Sequence, residues 1–166
     1  MNCPNCGAPG RLERDHGVFV CDYCRAELVP PSGDDGVHVF GHTKLRCPGC
    51  EDILLEGRIE SCQLWYCQSC RGTLVSMGHF QGLIEVLRAR RDRPSVVLAP
   101  RGAESAKLPR ICPQCSGAME NHSYGGPGNV WMDTCEPCSL NWLDKGELRK
   151  IAGAPDPRSF ASLYSE

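Results

Sequence analysis

Three times along the chain a C-P-x-C pair is answered by a C-x-x-C pair. Cys3-Pro4-Asn5-Cys6 is followed after fourteen residues by Cys21-Asp22-Tyr23-Cys24. Cys47-Pro48-Gly49-Cys50 is followed after sixteen by Cys67-Gln68-Ser69-Cys70, and Cys112-Pro113-Gln114-Cys115 after nineteen by Cys135-Glu136-Pro137-Cys138. One C-x-x-C turn places two thiolates at two corners of a tetrahedron, and a second turn completes the shell. The spacers lie in or near the range of roughly 15–20 residues expected between the pairs of such sites. The pattern predicts three zinc ions, bound by Cys3, Cys6, Cys21 and Cys24, by Cys47, Cys50, Cys67 and Cys70, and by Cys112, Cys115, Cys135 and Cys138. Four protein ligands leave no open position, which marks a structural site and not a catalytic one.

Other chemistries of paired cysteines fit less well. Disulfides need an oxidising compartment. The usual iron–sulfur spacings pack three cysteines closely, as in C-x2-C-x2-C, and this chain never does. A redox C-x-x-C belongs beside a βαβ pattern, and none surrounds these pairs. The thirteenth cysteine, Cys62, stands outside the sets on a strand-like stretch from Ile59 to Tyr66. It reads as a small buried hydrophobe, with an alternative ligand or a redox-sensitive thiol as the sharper reading.

Composition supports the metal reading. Apolar residues make up 41% of the 166 positions and aromatics 7%, against 18 glycines and 13 prolines. That is thin material for one large core, and domains below roughly 40 residues usually need metals or disulfides to stay folded. No run of about 18 apolar residues suggests a transmembrane helix. The start, Met1-Asn2-Cys3-Pro4, has no basic stretch leading into an apolar one, so the expected location is the cytoplasm, without membrane contact. The formal charge is −2, and the pI of about 6.2 lies far from the footprint of a dedicated nucleic-acid binder, above about 9. Twelve cysteines lose twelve protons to three zinc ions that bring six positive charges, so loading takes the formal charge from −2 to −8.

Proline- and glycine-rich stretches divide the chain. The expected organisation is a zinc ribbon at 1–29, a linker at 30–40, a ribbon with a helix at 41–92, a linker at 93–107, a third ribbon with a short helix at 108–154, and a tail at 155–166. Strand-like residues lead into each second pair: Gly17-Val18-Phe19-Val20, Leu64-Trp65-Tyr66 and Asn129-Val130-Trp131-Met132. The predicted fold is therefore small, metal-stapled and mainly β, with three tandem ribbons. The second and third ribbons are each followed by a capped α-helix.

The second and third sets repeat beyond their cysteines. Aligned on Cys70 and Cys138, Val75 matches Leu143, Ser76 matches Asp144, Gly78 matches Gly146 and Phe80 matches Leu148. Ser76 and Asp144 are N-cap residues by type. Asp144 with Glu147 resembles a capping box, and the Leu143–Leu148 and Val75–Phe80 spacings suit hydrophobic staples. Phe80, Leu83, Ile84 and Leu87 form one helical stripe. Leu148, Ile151 and Ala152 form a shorter one before Gly153.

The stretch from Cys112 to Ile151, with Trp142-Leu143-Asp144-Lys145-Gly146-Glu147-Leu148, resembles the TFIIB-type zinc-finger family of bacterial zinc ribbons. Residues 47–84 resemble a diverged second copy, and residues 3–24 a plain ribbon. The resemblance implies a small zinc-binding module and does not by itself imply a transcription factor. Two departures from the family pattern, the late proline of Cys135-Glu136-Pro137-Cys138 and Ser139-Leu140 in place of a glycine pair, remove no ligand but bear on the geometry of that knuckle.

Three functional readings follow. The first is a non-catalytic adapter with a protein partner, in which weak sites add through effective concentration, in a transcription-related or regulatory complex. Trp65, Tyr66, Trp131 and Trp142 either cover small cores or form its binding face. The second is nucleic-acid binding through Arg88, Arg90, Arg91 and Arg93 at the end of the second unit's helix. Residues 41–110 carry eleven basic and seven acidic side chains, although basic residues there also complement the helix dipole. The third is a thiol redox or zinc-storage protein. No enzyme is expected, and no small-molecule substrate. The histidines His16, His38, His42, His79 and His122 are scattered, and there is no H-E-x-x-H, nucleophile elbow or phosphate loop.

Overall fold

The computed structural model describes residues 2–3, 5–13, 18–28, 36–90, 109–124 and 130–154. Around the first four cysteines, β1 (Gly10–Glu13), β2 (Val18–Cys21) and β3 (Glu27–Leu28) form an antiparallel sheet in the order β1-β2-β3. Every other element belongs to one second unit. Its strands are β4 (His38–Arg46), β5 (Ile53–Ile59), β6 (Cys62–Tyr66), β7 (Thr73–Ser76), β8 (Glu120–Ser123), β9 (Trp131–Cys135) and β10 (Leu140–Leu143). They make a seven-stranded sheet in the order β4-β5-β6-β7-β10-β9-β8. Helices α1 (Met77–Ala89) and α2 (Glu147–Gly153) follow β7 and β10.

The second and third cysteine sets are thus not independent units, as the sequence suggested. Strand β7 of one pairs antiparallel with β10 of the other. The join is symmetric in register: Leu74 and Trp142, each four residues past its last cysteine, pair with each other. The flanking pairs, Thr73 with Leu143 and Val75 with Asn141, then exchange equivalent positions. A pseudo-two-fold axis passes between Leu74 and Trp142, and the join obeys the logic of an isologous dimer within one chain.

The physical reason is burial on both faces. Every residue of Leu140-Asn141-Trp142-Leu143 is buried, as are Thr73, Leu74 and Val75. A strand with apolar groups on both faces is an interior strand, and each unit alone would leave it at an edge. One face packs on the helices, where Leu64, Tyr66, Val75, Phe80, Leu83, Ile84, Leu143 and Ile151 form a common core. The other carries Leu54, Leu74, Leu140 and Trp142 beside the cysteines.

Helix α1 begins as predicted. Ser76 caps it, accepting from the His79 N–H at 3.3 Å, and Phe80, Leu83 and Ile84 are buried. Helix α2 begins differently. Gly146 occupies the cap position at φ 84° with no side-chain cap, and only the returning half of the capping box forms, from the Asp144 N–H to Glu147 at 2.7 Å. The Asp144 carboxylate is engaged elsewhere.

Two boundaries also move. Val37 is a core residue and β4 starts at His38, so the second unit begins inside the stretch taken for a linker at 30–40. The span Ile59–Tyr66 is not one strand: Ile59 ends β5, Glu60 (φ 50°) and Ser61 make the hairpin turn, and Cys62–Tyr66 form β6. The linker at 93–107 and the tail at 155–166 lie outside the described residues.

Candidate metal centres

Each predicted quartet converges, and within each the four sulfurs lie within 4.8 Å of one another. Sulfur pairs stand at 3.6 Å (Cys3–Cys24), 3.4 Å (Cys6–Cys21), 3.5 Å (Cys47–Cys70), 3.4 Å (Cys50–Cys67) and 3.6 Å (Cys115–Cys135). A disulfide would need about 2.05 Å. Zinc–sulfur bonds of about 2.3 Å in a tetrahedron put sulfurs about 3.8 Å apart. The donor sets therefore fit a single tetrahedral ion each and leave no room between the thiols for a multi-iron cluster. In all three, the first cysteine of each pair is buried, while Cys6, Cys50 and Cys115 are exposed.

The backbone explains how six different turns reach one geometry. The residue after each second cysteine takes a positive φ: Gly7 (76°), Arg25 (60°), Glu51 (65°), Arg71 (60°), Ser116 (60°) and Ser139 (53°). Only one is glycine, so the other five hold a conformation that L-residues disfavour. In five turns this residue's N–H bonds the carbonyl of the first cysteine, at 2.8 Å for Gly7 to Cys3, 3.1 Å for Arg25 to Cys21, and 2.9 Å for Glu51 to Cys47, Arg71 to Cys67 and Ser116 to Cys112. The sixth departs: Ser139 N–H bonds the Glu136 carbonyl at 3.0 Å. This is the turn whose proline sits one place late, so the sequence departure marks the geometric one.

The turns also tune the thiols. Backbone N–H groups that meet a sulfur favour its thiolate. The Ala26 N–H draws Cys24 down to about 6, that of Gly117 draws Cys115 to about 7, and that of Asp52 lowers Cys50. Burial acts oppositely, pushing Cys70 up to about 11 and raising Cys47 well above its ordinary value.

The second centre is held in part by residues from the third set. The Trp142 ring covers both of its knuckles: a Cβ on Gly72 would stand 2.1 Å from Trp142 Cζ2, and one on Gly49 would stand 3.2 Å away. Trp142 Nε1 donates to Asp144 Oδ1 at 3.0 Å. Arg110 Nη2 donates to both Asp144 oxygens at 3.1 Å, while its Nη1 reaches the Pro48 and Gly49 carbonyls at 3.4 Å. Neither Arg110 nor this use of Asp144 was foreseen from sequence. The largely apolar run Leu140-Asn141-Trp142-Leu143 was the signal available in the sequence.

The remaining candidates resolve into packing. Cys62 is buried among Ile59, Leu64 and Leu83 and joins no quartet. Arg88 donates to the Ile151 carbonyl of α2 at 3.4 Å, and Arg90 pairs with Glu60. Arg91 and Arg93 lie outside the described residues. His122 bonds Thr134 at 2.7 Å, and Thr134 donates to Asn141 at 2.9 Å, a strand-to-strand link. Trp142 is fully buried and Tyr66 nearly so, Trp65 is half-buried, and Trp131 is exposed. Among the described residues no further group of histidine, cysteine and carboxylate side chains converges. No helix there is long and apolar enough to cross a membrane. No family model, curated protein or solved structure matches this chain.

Proposed function

We infer that the chain is a zinc-binding, non-catalytic adapter whose three ions are structural and whose partner is a protein. The observation that carries this reading is the closed four-thiolate geometry of all three sites, which offers a metal no open position for water or substrate. Folding and metal binding are then one equilibrium, because a preformed site does not survive in the unfolded chain. The fold is read as ribbons of the TFIIB type, one separate and two fused edge to edge through β7 and β10, in a cytoplasmic protein of a transcription-related or regulatory complex. Nucleic-acid binding through Arg88 and Arg90 is disfavoured, since both are engaged by protein groups.

The test is capture of partners from native lysate by the zinc-loaded chain, with and without nuclease. The reading expects protein partners that survive nuclease treatment. Loss of all partners on nuclease treatment, with direct nucleic-acid affinity that falls steeply with salt, would favour the second reading.

A further inference from the structure

A cavity of about 250 Å³ lies beside β4, β5 and β6, and Ser76 and His79 at the start of α1 close one side of it. Strand alternation builds it. Leu64 and Tyr66 of β6 enter the helix-side core, so Gln63 and Trp65 face the other way. Glu56 of β5 pairs directly with Trp65.

Strand β4 completes the cavity through a bulge. Val39 pairs with Gly57 and Gly41 with Glu56, leaving Phe40 outside the ladder and in the cavity wall. Bulges re-aim side chains in this way. Gly41 supplies the room: a Cβ there would stand 2.6 Å from Glu56 Oε2, so only glycine lets the carboxylate lie against the strand.

Ser76 is occupied in capping α1, but three polar side chains of this cavity are unused. Among the described residues the Glu56 carboxylate has no cation partner, and the Gln63 amide and Trp65 indole N–H have no hydrogen bond. A half-buried carboxylate in a cavity that two aromatic side chains also line is the complement of a compact cation, which ring faces attract and a carboxylate neutralises.

The geometry points to a receptor for one lysine side chain of a protein partner, its ammonium group set between Phe40 and Trp65 with Glu56 as counter-ion and the Gln63 carbonyl oxygen as a further acceptor. An ammonium suits these acceptors because it is a point charge with three rotatable donors, whereas a guanidinium needs a planar, two-pronged partner. The inference rests on the adapter reading and names the chemistry of its contact. The acidic metal-loaded chain favours a basic partner.

The test titrates the zinc-loaded full chain with N-acetyl-lysine methylamide and follows the Trp65 indole N–H by NMR. The norleucine analogue, which has the same stem without the charge, and the arginine analogue serve as comparators. The expected result is a saturable shift in the millimolar range for lysine, with norleucine weaker by about tenfold or more. Glu56→Gln should weaken lysine binding about tenfold and leave the unfolding transition in place. Equal binding of norleucine, preference for arginine, no saturable shift, or undiminished lysine binding by Glu56→Gln would each overturn the proposal. Protein partners captured equally by Glu56→Gln and by the unaltered chain would remove this cavity from the contact while leaving the adapter role intact.

Discussion

The Trp142 indole, from the third cysteine set, lies so close over Gly72 in the second set's knuckle that a Cβ there would stand 2.1 Å from it. Gly72→Ala must therefore displace the ring or the knuckle, and overpacking of this kind costs about 1–3 kcal/mol. Denaturant unfolding of the zinc-loaded chain should show that loss. Competition with a chelator should show faster metal loss from the second site and no change at the first.

Removing the ring tests the same joint from the other side. Trp142→Ala deletes a fully buried side chain on the pseudo-two-fold axis, and such truncations cost about 3–5 kcal/mol. It also leaves Asp144 without the indole N–H. The expected outcome is weakened zinc retention at both the second and third sites. Retention unchanged at the second site would mean that the ring does not support it.

Arg110 and Asp144 form a half-buried pair, 24% and 26% exposed, and Arg110 extends from there to the Pro48 and Gly49 carbonyls. A double-mutant cycle of Arg110→Met and Asp144→Asn should give a coupling on the order of 1–3 kcal/mol. A coupling near zero would reduce the contact to an incidental surface pair.

Cooperativity follows from the shared sheet. Cys112→Ser should unfold the third set, loosen the second and leave the first untouched, because only the second and third share strands and a core. Amide exchange resolved along the chain reads this directly. Exchange confined to residues 109–154 would restore the picture of three separate units.

Acid should release the metal with a site-dependent slope. Zinc binds thiolate and expels any proton the free thiol holds, so affinity falls as pH falls wherever the metal-free thiols are protonated. At the first site Cys24 lies near 6 and Cys21 is lowered, both through backbone N–H groups. Although the Ala8 N–H pulls Cys6 down, the Cys21 sulfur and burial carry it up to about 12. At the second site Cys47 and Cys70 are both raised by burial and only Cys50 is lowered. More protons must leave the second site near neutral pH. Its affinity, measured by chelator competition between pH 6 and 8, should fall more steeply than that of the first site.

The quartets and the α1 cap were legible in the sequence because each depends on local spacing: two C-x-x-C turns, or Ser76 three residues before His79. The join between β7 and β10 was not, because pairing across residues 76 and 140 leaves no periodic trace. The buried run Leu140–Leu143 and the matched position of Leu74 and Trp142 carried that information, but only once both strands were known to need cover on two faces. Asp144 misled for a related reason. Its spacing to Glu147 suits a cap, yet Arg110 and Trp142 compete for its carboxylate and win.

Elemental analysis of the purified full chain is the most direct test of the central claim. Twelve thiolates in three closed quartets predict three zinc ions per chain and no iron. One or two zinc ions, or iron in their place, would contradict it.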